Sequence, residues 1–131
     1  MSEENVEVVR NMWAAFLAGD LDTALSCLAS DIEWDGTNLP DGRVGKGHQA
    51  VLDHVVGWAD AWDEWRVDVE QIRALDGEKV FVRIRERGRS SSGLKMDERH
   101  AELYTVRDGQ VVHRVGFSDP SQALEAAGVS E

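Results

Sequence analysis

Apolar residues in the first half of the chain recur at intervals of three and four residues, which is the period of one face of an α-helix. The pattern predicts three helices: one that ends near Gly19, a second that Asp20 caps, and a third over residues 49–62. Their apolar stripes comprise Val6, Val9, Trp13 and Phe16, then Leu21, Ala24, Leu25 and Leu28, and finally Val51, Val55, Trp58 and Trp62. Gly57 lies inside the third helix at a cost of about 1 kcal/mol relative to alanine, and we expect it to admit a close approach of another segment.

After the third helix the apolar residues alternate with polar ones, which is the period of a β-strand with one buried face. The alternating apolar positions are Trp65, Val67, Val69, Val80, Val82 and Ile84. This region divides into four strands at three turn-forming pairs, Asp76-Gly77, Ser92-Gly93 and Asp108-Gly109. A short strand and a glycine-rich loop over residues 32–47 come before them. The order predicts a single α+β domain over residues 1–131, with helices covering one face of a curved antiparallel sheet.

The charge and composition exclude several classes of partner. With a formal net charge of -11, the chain is a poor ligand for nucleic acid, because binding phosphates requires a basic surface. No apolar run approaches the roughly 18 residues that a membrane span needs, so no membrane partner is expected. The acidic N-terminus lacks an apolar signal core, and the single cysteine, Cys27, can form no internal disulfide. We therefore expect a cytoplasmic protein.

The Asp108-Gly109 turn predicts which side chains share one face of the last hairpin. A two-residue loop pairs Arg107 with Gln110, and counting back along both strands places Tyr104 opposite His113. The shared face then holds His100, Glu102, Tyr104, Val106, Val111, His113, Val115 and Phe117. Such a mixture of apolar and functional groups predicts a pocket against the helices. The alternative is a solvent-exposed face, or polar groups that satisfy one another.

The Ser92-Gly93 turn extends this face if its loop has two residues. Arg83 would then lie opposite Glu102 as an ion-pair partner inside the pocket, whereas a three-residue loop would reverse the parity. The opposite, convex face would hold Val80, Val82, Ile84, Ala101, Leu103 and Val112. An apolar convex face requires a cover, and we therefore expect a homodimer formed through it.

Trp34 and Asp35 compete for the pocket, because neighbouring residues of a strand point to opposite faces. Asp35 is either a base whose pKa rises in an apolar setting or the first residue of an Asp-Gly turn. Trp34 is the best candidate for a cavity wall. No metal site is predicted, since His48 and His54 have poor helical spacing for two ligands.

Three stretches resemble a known family. The segment "LYTVRDGQVVHRVGFSDPSQALEAAG", residues 103–128, is similar to the C-terminal end of SnoaL-like proteins in the nuclear transport factor two-like superfamily. The segments "MWAAFLAGDLDTAL", residues 12–25, and "LASDIEWDG", residues 28–36, resemble the start of that fold. The resemblance implies a cone-shaped α+β barrel with an internal cavity. Relatives include polyketide cyclases, ketosteroid isomerases and limonene epoxide hydrolases, together with proteins that bind without catalysis.

The resemblance also implies roles for individual residues. Asp35 matches, within one residue, the general base of the ketosteroid isomerases, and Glu102 matches the protonated acid of their oxyanion hole. Met12 stands where those enzymes use a tyrosine, so Tyr104 or His100 would have to replace that donor.

These observations predict a small homodimeric protein with an apolar pocket for a small organic molecule. If it is an enzyme, we expect cofactor-independent isomerisation, cyclisation or dehydration of a carbonyl compound, without a metal. The expected catalytic groups are Asp35 as base and Glu102, His100, Tyr104 and His113 as acids or orienting groups. The expected ligand contacts are Trp34, Trp58, Trp62, Arg83, Val115 and Phe117. The alternatives are a ligand-binding module without catalysis and a structural dimer whose own tryptophans fill the cavity.

Overall fold

A computed structural model of the protein describes residues 2–38, 42, 44–75 and 77–128. Within these residues there are four helices and six strands. In chain order they are α1 (Ser2–Leu17), α2 (Leu21–Ser26), β1 (Leu28–Asn38), β2 (Val44–Lys46), α3 (His48–Asp60), β3 (Glu64–Ala74), β4 (Lys79–Arg89), β5 (Lys95–Arg107), β6 (Gln110–Phe117) and α4 (Pro120–Ala126). The three predicted helices and the four-stranded meander are confirmed. None of the described helices combines the length and the apolar character needed to cross a bilayer.

The strands form one curved, open sheet in the order β2-β1-β6-β5-β4-β3. All neighbours are antiparallel except β1 and β6, which run parallel. The early strand β1 therefore adds to the meander beside β6, at the end opposite β3. The predicted α+β fold, with a curved sheet against N-terminal helices, is confirmed.

The helix boundaries follow from local hydrogen bonds. Asp20 caps α2 as predicted, because its Oδ1 accepts a hydrogen bond from the Thr23 backbone N at 3.1 Å. Asp119 does the same for α4 through the Ser121 backbone N at 3.0 Å, and Pro120 occupies the first turn, where its missing N–H costs nothing. The two caps begin the helix that precedes β1 and the helix that follows β6.

Two apolar clusters hold the sheet. The main core lies between α1–α3 and the inner face of the sheet, and its fully buried members include Val9, Ile32 and Val82. The second cluster lies under α4 on the outer side of β4–β6. It comprises Leu75, Phe81, Ala101, Leu103, Phe117, Ala123 and Leu124. The chain thus covers part of its own convex face.

The loop between β4 and β5 reverses the predicted parity. It spans five residues, 90–94, and is closed by a 2.9 Å hydrogen bond from the Ser90 backbone N to the Leu94 carbonyl. An odd number of loop residues turns each side chain of β4 to the other face. Val82 therefore lies opposite Glu102, and the predicted pairing of Arg83 with Glu102 is wrong. Arg83 lies on the outer face instead.

Outside the patch that α4 covers, the outer face of β3–β5 is charged rather than apolar. Val80, Val82 and Ile84 belong to the main core, so the prediction that they form an apolar convex face is wrong. Ion pairs cover that face: Arg66–Asp68, Arg83–Glu70, Arg85–Asp97, Arg87–Asp68, Arg89–Glu64 and Arg99–Glu70. The homodimer stays a prediction, without the apolar interface that first suggested it.

Candidate functional site

A cavity of about 170 Å³ opens between α1–α3 and the inner face of the sheet. Its walls are mostly apolar and include Trp13, Phe16, Val55 and Trp58 from the helices. An engineered cavity of about 150 Å³ holds benzene, so this one suits a molecule of one or two rings. The predicted apolar pocket is present, and five buried or half-buried polar residues of the sheet interrupt its wall: Glu86, His100, Glu102, Tyr104 and Arg114.

A hydrogen-bonded network occupies the floor of the cavity. Tyr104 donates its hydroxyl to Oε1 of Glu102 at 2.7 Å, and Arg114 donates from Nε to Oε2 of Glu102 at 2.5 Å. The Arg114 Nη2 also pairs with the same carboxylate oxygen. All three side chains are buried. Both carboxylate oxygens of Glu102 are therefore engaged by donors of this network.

The network fixes the protonation states of its members. Burial raises the pKa of Glu102, but the charges of Arg114 and His100 and the hydrogen bonds from Tyr104 and Arg114 outweigh it and leave the pKa below its usual value. Burial, with the negative charge of Glu102, raises the pKa of Tyr104 well above its usual value. Glu102 is thus an ionised counter-ion and Tyr104 a protonated donor. This differs from the protonated acid that the resemblance implied for Glu102.

Arg114 reaches the cavity because of a β-bulge in the last hairpin. Val106 pairs with Val111 as predicted, but the register then shifts, and Thr105 pairs with His113. Tyr104 consequently lies opposite Arg114 rather than His113. Arg114 is absent from the predicted site for this reason.

The same shift moves three predicted site residues to the other side of the sheet. Phe117 belongs to the cluster under α4, and Val115 packs against that cluster. The imidazole of His113 lies 3.9 Å from Glu33, measured from Nε2 to Oε2, in a shallow depression outside the cavity. The prediction that His113, Val115 and Phe117 share a face with Glu102 is wrong.

The competition between Trp34 and Asp35 is settled in favour of the tryptophan. Trp34 is buried and lines the cavity. Asp35 points the other way, and its Oδ1 accepts hydrogen bonds from the backbone N of Thr37 at 2.9 Å and from its hydroxyl at 2.6 Å. These hydrogen bonds hold the pKa of Asp35 below its usual value, whereas a buried base would have it raised. Asp35 is therefore not the predicted buried base, and it lies within β1 rather than at the start of an Asp-Gly turn.

Glu86 and His100 form a second polar group on the cavity wall. The Oε2 of Glu86 accepts hydrogen bonds from Nε1 of Trp58 at 2.8 Å and from Nε1 of Trp65 at 2.9 Å. Its Oε1 lies 4.0 Å from Nδ1 of His100. Glu86 is absent from the predicted site, although it continues the alternation of Val80, Val82 and Ile84.

Of the two remaining tryptophans predicted to contact a ligand, one lines the cavity and the other lies behind it. Trp58 lines the cavity as expected, whereas Trp62 packs behind it, with ring centroids 5.8 Å apart. Trp62 also covers Gly88, where an added Cβ would come within 2.9 Å of the indole. The part of the chain that the structure describes contains no cluster of three or more histidine, cysteine or carboxylate side chains placed to hold a metal ion.

Comparisons with known proteins identify the fold. The model of the SnoaL-like domain family matches residues 9–114. Bal32a from a soil-derived mobile gene cassette is similar with a TM-score of 0.80 at 20% identity, over 95% of this chain and 96% of that one. TerC, co-crystallised with polyporic acid, has a TM-score of 0.76 at 19% identity, over 95% and 98%. A protein from Jannaschia sp. CCS1, named as a candidate SnoaL-like polyketide cyclase, has a TM-score of 0.76 at 20% identity, over 99% and 95%. No curated protein matches the chain.

Proposed function

Because this chain belongs to the SnoaL-like domain family, we propose that it binds a small, largely apolar organic molecule in its cavity and that His100 transfers a proton on that molecule. The single observation that carries the proposal is the setting of His100: an imidazole 14% exposed, beside a carboxylate at 4.0 Å, in the wall of an apolar cavity. The compound bound by TerC is organic and supports a ligand of this class.

His100 is better placed to exchange a proton than either carboxylate. Glu102 is held between Tyr104 and Arg114, and a proton on it would break that ion pair. Glu86 accepts hydrogen bonds from two indole N–H groups on one oxygen, which hold its carboxylate in place. Histidine is the side chain that gains and loses a proton most readily near neutral pH. Glu86 then serves to orient the imidazole.

The reaction class that fits is proton transfer next to a carbonyl group. His100 removes a proton from the carbon adjacent to the carbonyl, and the electron pair of that C–H bond moves to the carbonyl oxygen as an enolate. Return of the proton at another atom gives an isomer, and the same enolate is the entry point for cyclisation or dehydration. A positioned general base contributes about 10²–10⁴-fold to such a step.

Proton exchange in heavy water tests the proposal. 2-Tetralone is a bicyclic ketone of suitable size, and its α-protons exchange for deuterium at a rate that NMR measures directly. Wild type should accelerate this exchange over buffer, and His100→Gln should lose at least about 10²-fold of the acceleration. Asp35→Asn is the matched control and should retain the wild-type rate, because Asp35 lies outside the cavity. Equal exchange by wild type and His100→Gln would contradict the role of His100.

Ligand binding is measured separately. Trp34, Trp58 and Trp65 line the cavity, so an occupant should change the intrinsic fluorescence, and it should raise the Tm by mass action. Binding of 2-tetralone without exchange would leave the protein as a ligand-binding module. Sedimentation velocity tests the predicted homodimer in the same samples.

A further inference from the structure

Two glutamates are direct neighbours on the cavity wall. Glu86 of β4 pairs with Glu98 of β5 across the antiparallel strands, and both residues line the cavity. The Cβ atoms of such a pair lie about 5 Å apart, and like charges in this position repel each other. Glu98 is exposed, whereas the side chain of Glu86 is only 10% exposed. A cation held beside the two carboxylates would offset this repulsion.

One oxygen of Glu86 accepts no hydrogen bond from the described residues. The indoles of Trp58 and Trp65 both donate to the other oxygen, Oε2. Nδ1 of His100 lies 4.0 Å from Oε1, which is beyond hydrogen-bond distance. The enclosed polar side-chain atoms that lack a partner do not include Oε1, so this oxygen is open to the cavity that Glu86 lines. Oε1 is therefore an accessible acceptor on a side chain that is nine-tenths buried.

The charges of the wall leave room for a cation. Arg114 is the only arginine or lysine in the described lining of the cavity, and it is already paired with Glu102. Neither Glu86 nor Glu98 forms an ion pair with a lysine or arginine among the described residues. His100 is neutral when it acts as a base, so it does not balance Glu86 in the state that the proposed function requires. A cationic ligand would supply the missing positive charge.

The surroundings of Glu86 favour an organic ammonium ion over a metal ion. The described residues include no group of three or more histidine, cysteine or carboxylate side chains placed to hold a metal. Trp58 and Trp65 line the cavity beside Glu86, and the ring of Phe16 lies 6.1 Å from that of Trp65, centroid to centroid. Aromatic side chains attract organic ammonium ions. An N–H group of a protonated amine also supplies the hydrogen bond that Oε1 of Glu86 lacks.

We propose that Glu86, assisted by Glu98, binds the protonated amino group of a small cyclic amine, which names the ligand class of the cavity and rests on the proposed function. The ammonium N–H donates to Oε1 of Glu86, Glu98 adds a second negative charge on the exposed side, and the apolar ring occupies the space between the aromatic side chains. Because His100 lies beside Glu86, an amino group held there keeps the ligand close to the imidazole. The formal net charge of -11 favours the approach of a cation over that of an anion.

Three probes on one bicyclic frame test this inference: tetralin, 2-aminotetralin and 1,2,3,4-tetrahydro-2-naphthoate. At neutral pH they are uncharged, cationic and anionic. By fluorescence titration at constant ionic strength, wild type should bind 2-aminotetralin about 10–100-fold more tightly than tetralin, the value of one hydrogen bond to a charged group, and the carboxylate most weakly. Equal binding of tetralin and 2-aminotetralin, or tightest binding of the carboxylate, overturns the proposal.

Two variants locate the binding group. Glu86→Gln removes the charge and retains an oxygen that can accept the indole hydrogen bonds, and its Tm shows whether it folds. It should lower the affinity for 2-aminotetralin about 10–100-fold relative to that for tetralin. Glu98→Gln changes an exposed side chain and should lower the same ratio about 2–5-fold. Glu78→Gln is the matched control and should leave the ratio unchanged, since Glu78 pairs with Arg107 outside the cavity lining.

The outcomes separate this inference from the proposed function. If tetralin binds but wild type shows no preference for the amine, the cavity remains a binding site and its assignment to amines is wrong. An unchanged ratio in Glu86→Gln likewise overturns the proposed contact, and if that variant does not fold, an unchanged ratio in Glu98→Gln does so. If none of the three probes binds, the proposed function fails, and this inference fails with it.

Discussion

Arg114 donates from Nε to Oε2 of Glu102 at 2.5 Å, and the two side chains are 4% and 3% exposed. A pair this deep pays a large desolvation cost, which its mutual attraction and the Tyr104 hydrogen bond offset. Replacing both residues of the pair should therefore change the stability of the protein less than replacing only one of them.

We expect Glu102→Gln to destabilise the protein by about 3–5 kcal/mol, because it leaves the Arg114 charge buried without a counter-ion. The double variant Glu102→Leu/Arg114→Met should be more stable than the single one, since no buried charge remains. Urea denaturation followed by far-UV circular dichroism measures both. A loss under 1 kcal/mol for the single variant would contradict the buried pair.

The same pair predicts how stability depends on acid. The pKa of Glu102 is below its usual value in the folded state, so the unfolded chain takes up this proton first as the pH falls. Its contribution is complete above the ordinary glutamate pKa of about 4.3 and is lost as the pH falls through the folded value.

As the pH falls, the free energy of unfolding of Glu102→Gln should therefore decrease less steeply than that of wild type, by up to about 1.4 kcal/mol per pH unit. Asp35, Asp68 and Asp97 also have lowered pKa values, but they contribute equally to both proteins. Free energies of unfolding between pH 3 and 7 provide the comparison. Parallel curves over this whole range would show that Glu102 does not carry the effect.

The buried carboxylate of Glu86 is stabilised by hydrogen bonds from two indole N–H groups, those of Trp58 and Trp65. Trp58→Phe and Trp65→Phe should each cost about 1.5–3 kcal/mol, the range for a hydrogen bond to a charged group. The double variant should cost more than the sum, because the second loss deprives a buried carboxylate of its remaining indole donor. Trp62→Phe serves as the control, since it removes comparable ring area without touching Glu86. Additive losses equal to twice that of the control would refute the role of the hydrogen bonds.

The sequence predicted those relationships that depend on counting along one strand. His100, Glu102 and Tyr104 do share the inner face of β5, because alternation along a strand needs no knowledge of its neighbours. The Asp108-Gly109 turn likewise pairs Arg107 with Gln110 as predicted.

Relationships between strands were missed where a single residue changes the register. The bulge shifts the pairing by passing over Val112, whose side chain suits a strand with or without a bulge and so gives no sequence signal. The loop between β4 and β5 contains five residues, 90–94, which is three more than the two-residue loop that the Ser92-Gly93 pair predicted. Because of these two differences from the predicted register, Arg114 rather than His113 lies opposite Tyr104, and Arg83 lies on the outer face.

A last prediction concerns two glycines. A neighbouring residue approaches closely at Gly45, as at Gly88: a Cβ added to Gly45 would lie 2.6 Å from the Cβ of Ala50. Gly45→Ala should therefore force β2 and α3 apart and cost about 1–3 kcal/mol. Gly57 is exposed in the middle of α3, so Gly57→Ala should stabilise the protein by up to about 1 kcal/mol through helix propensity alone. Thermal unfolding of the two variants distinguishes the sites: opposite shifts in Tm are expected, and a gain for Gly45→Ala would mean that β2 and α3 do not pack this closely.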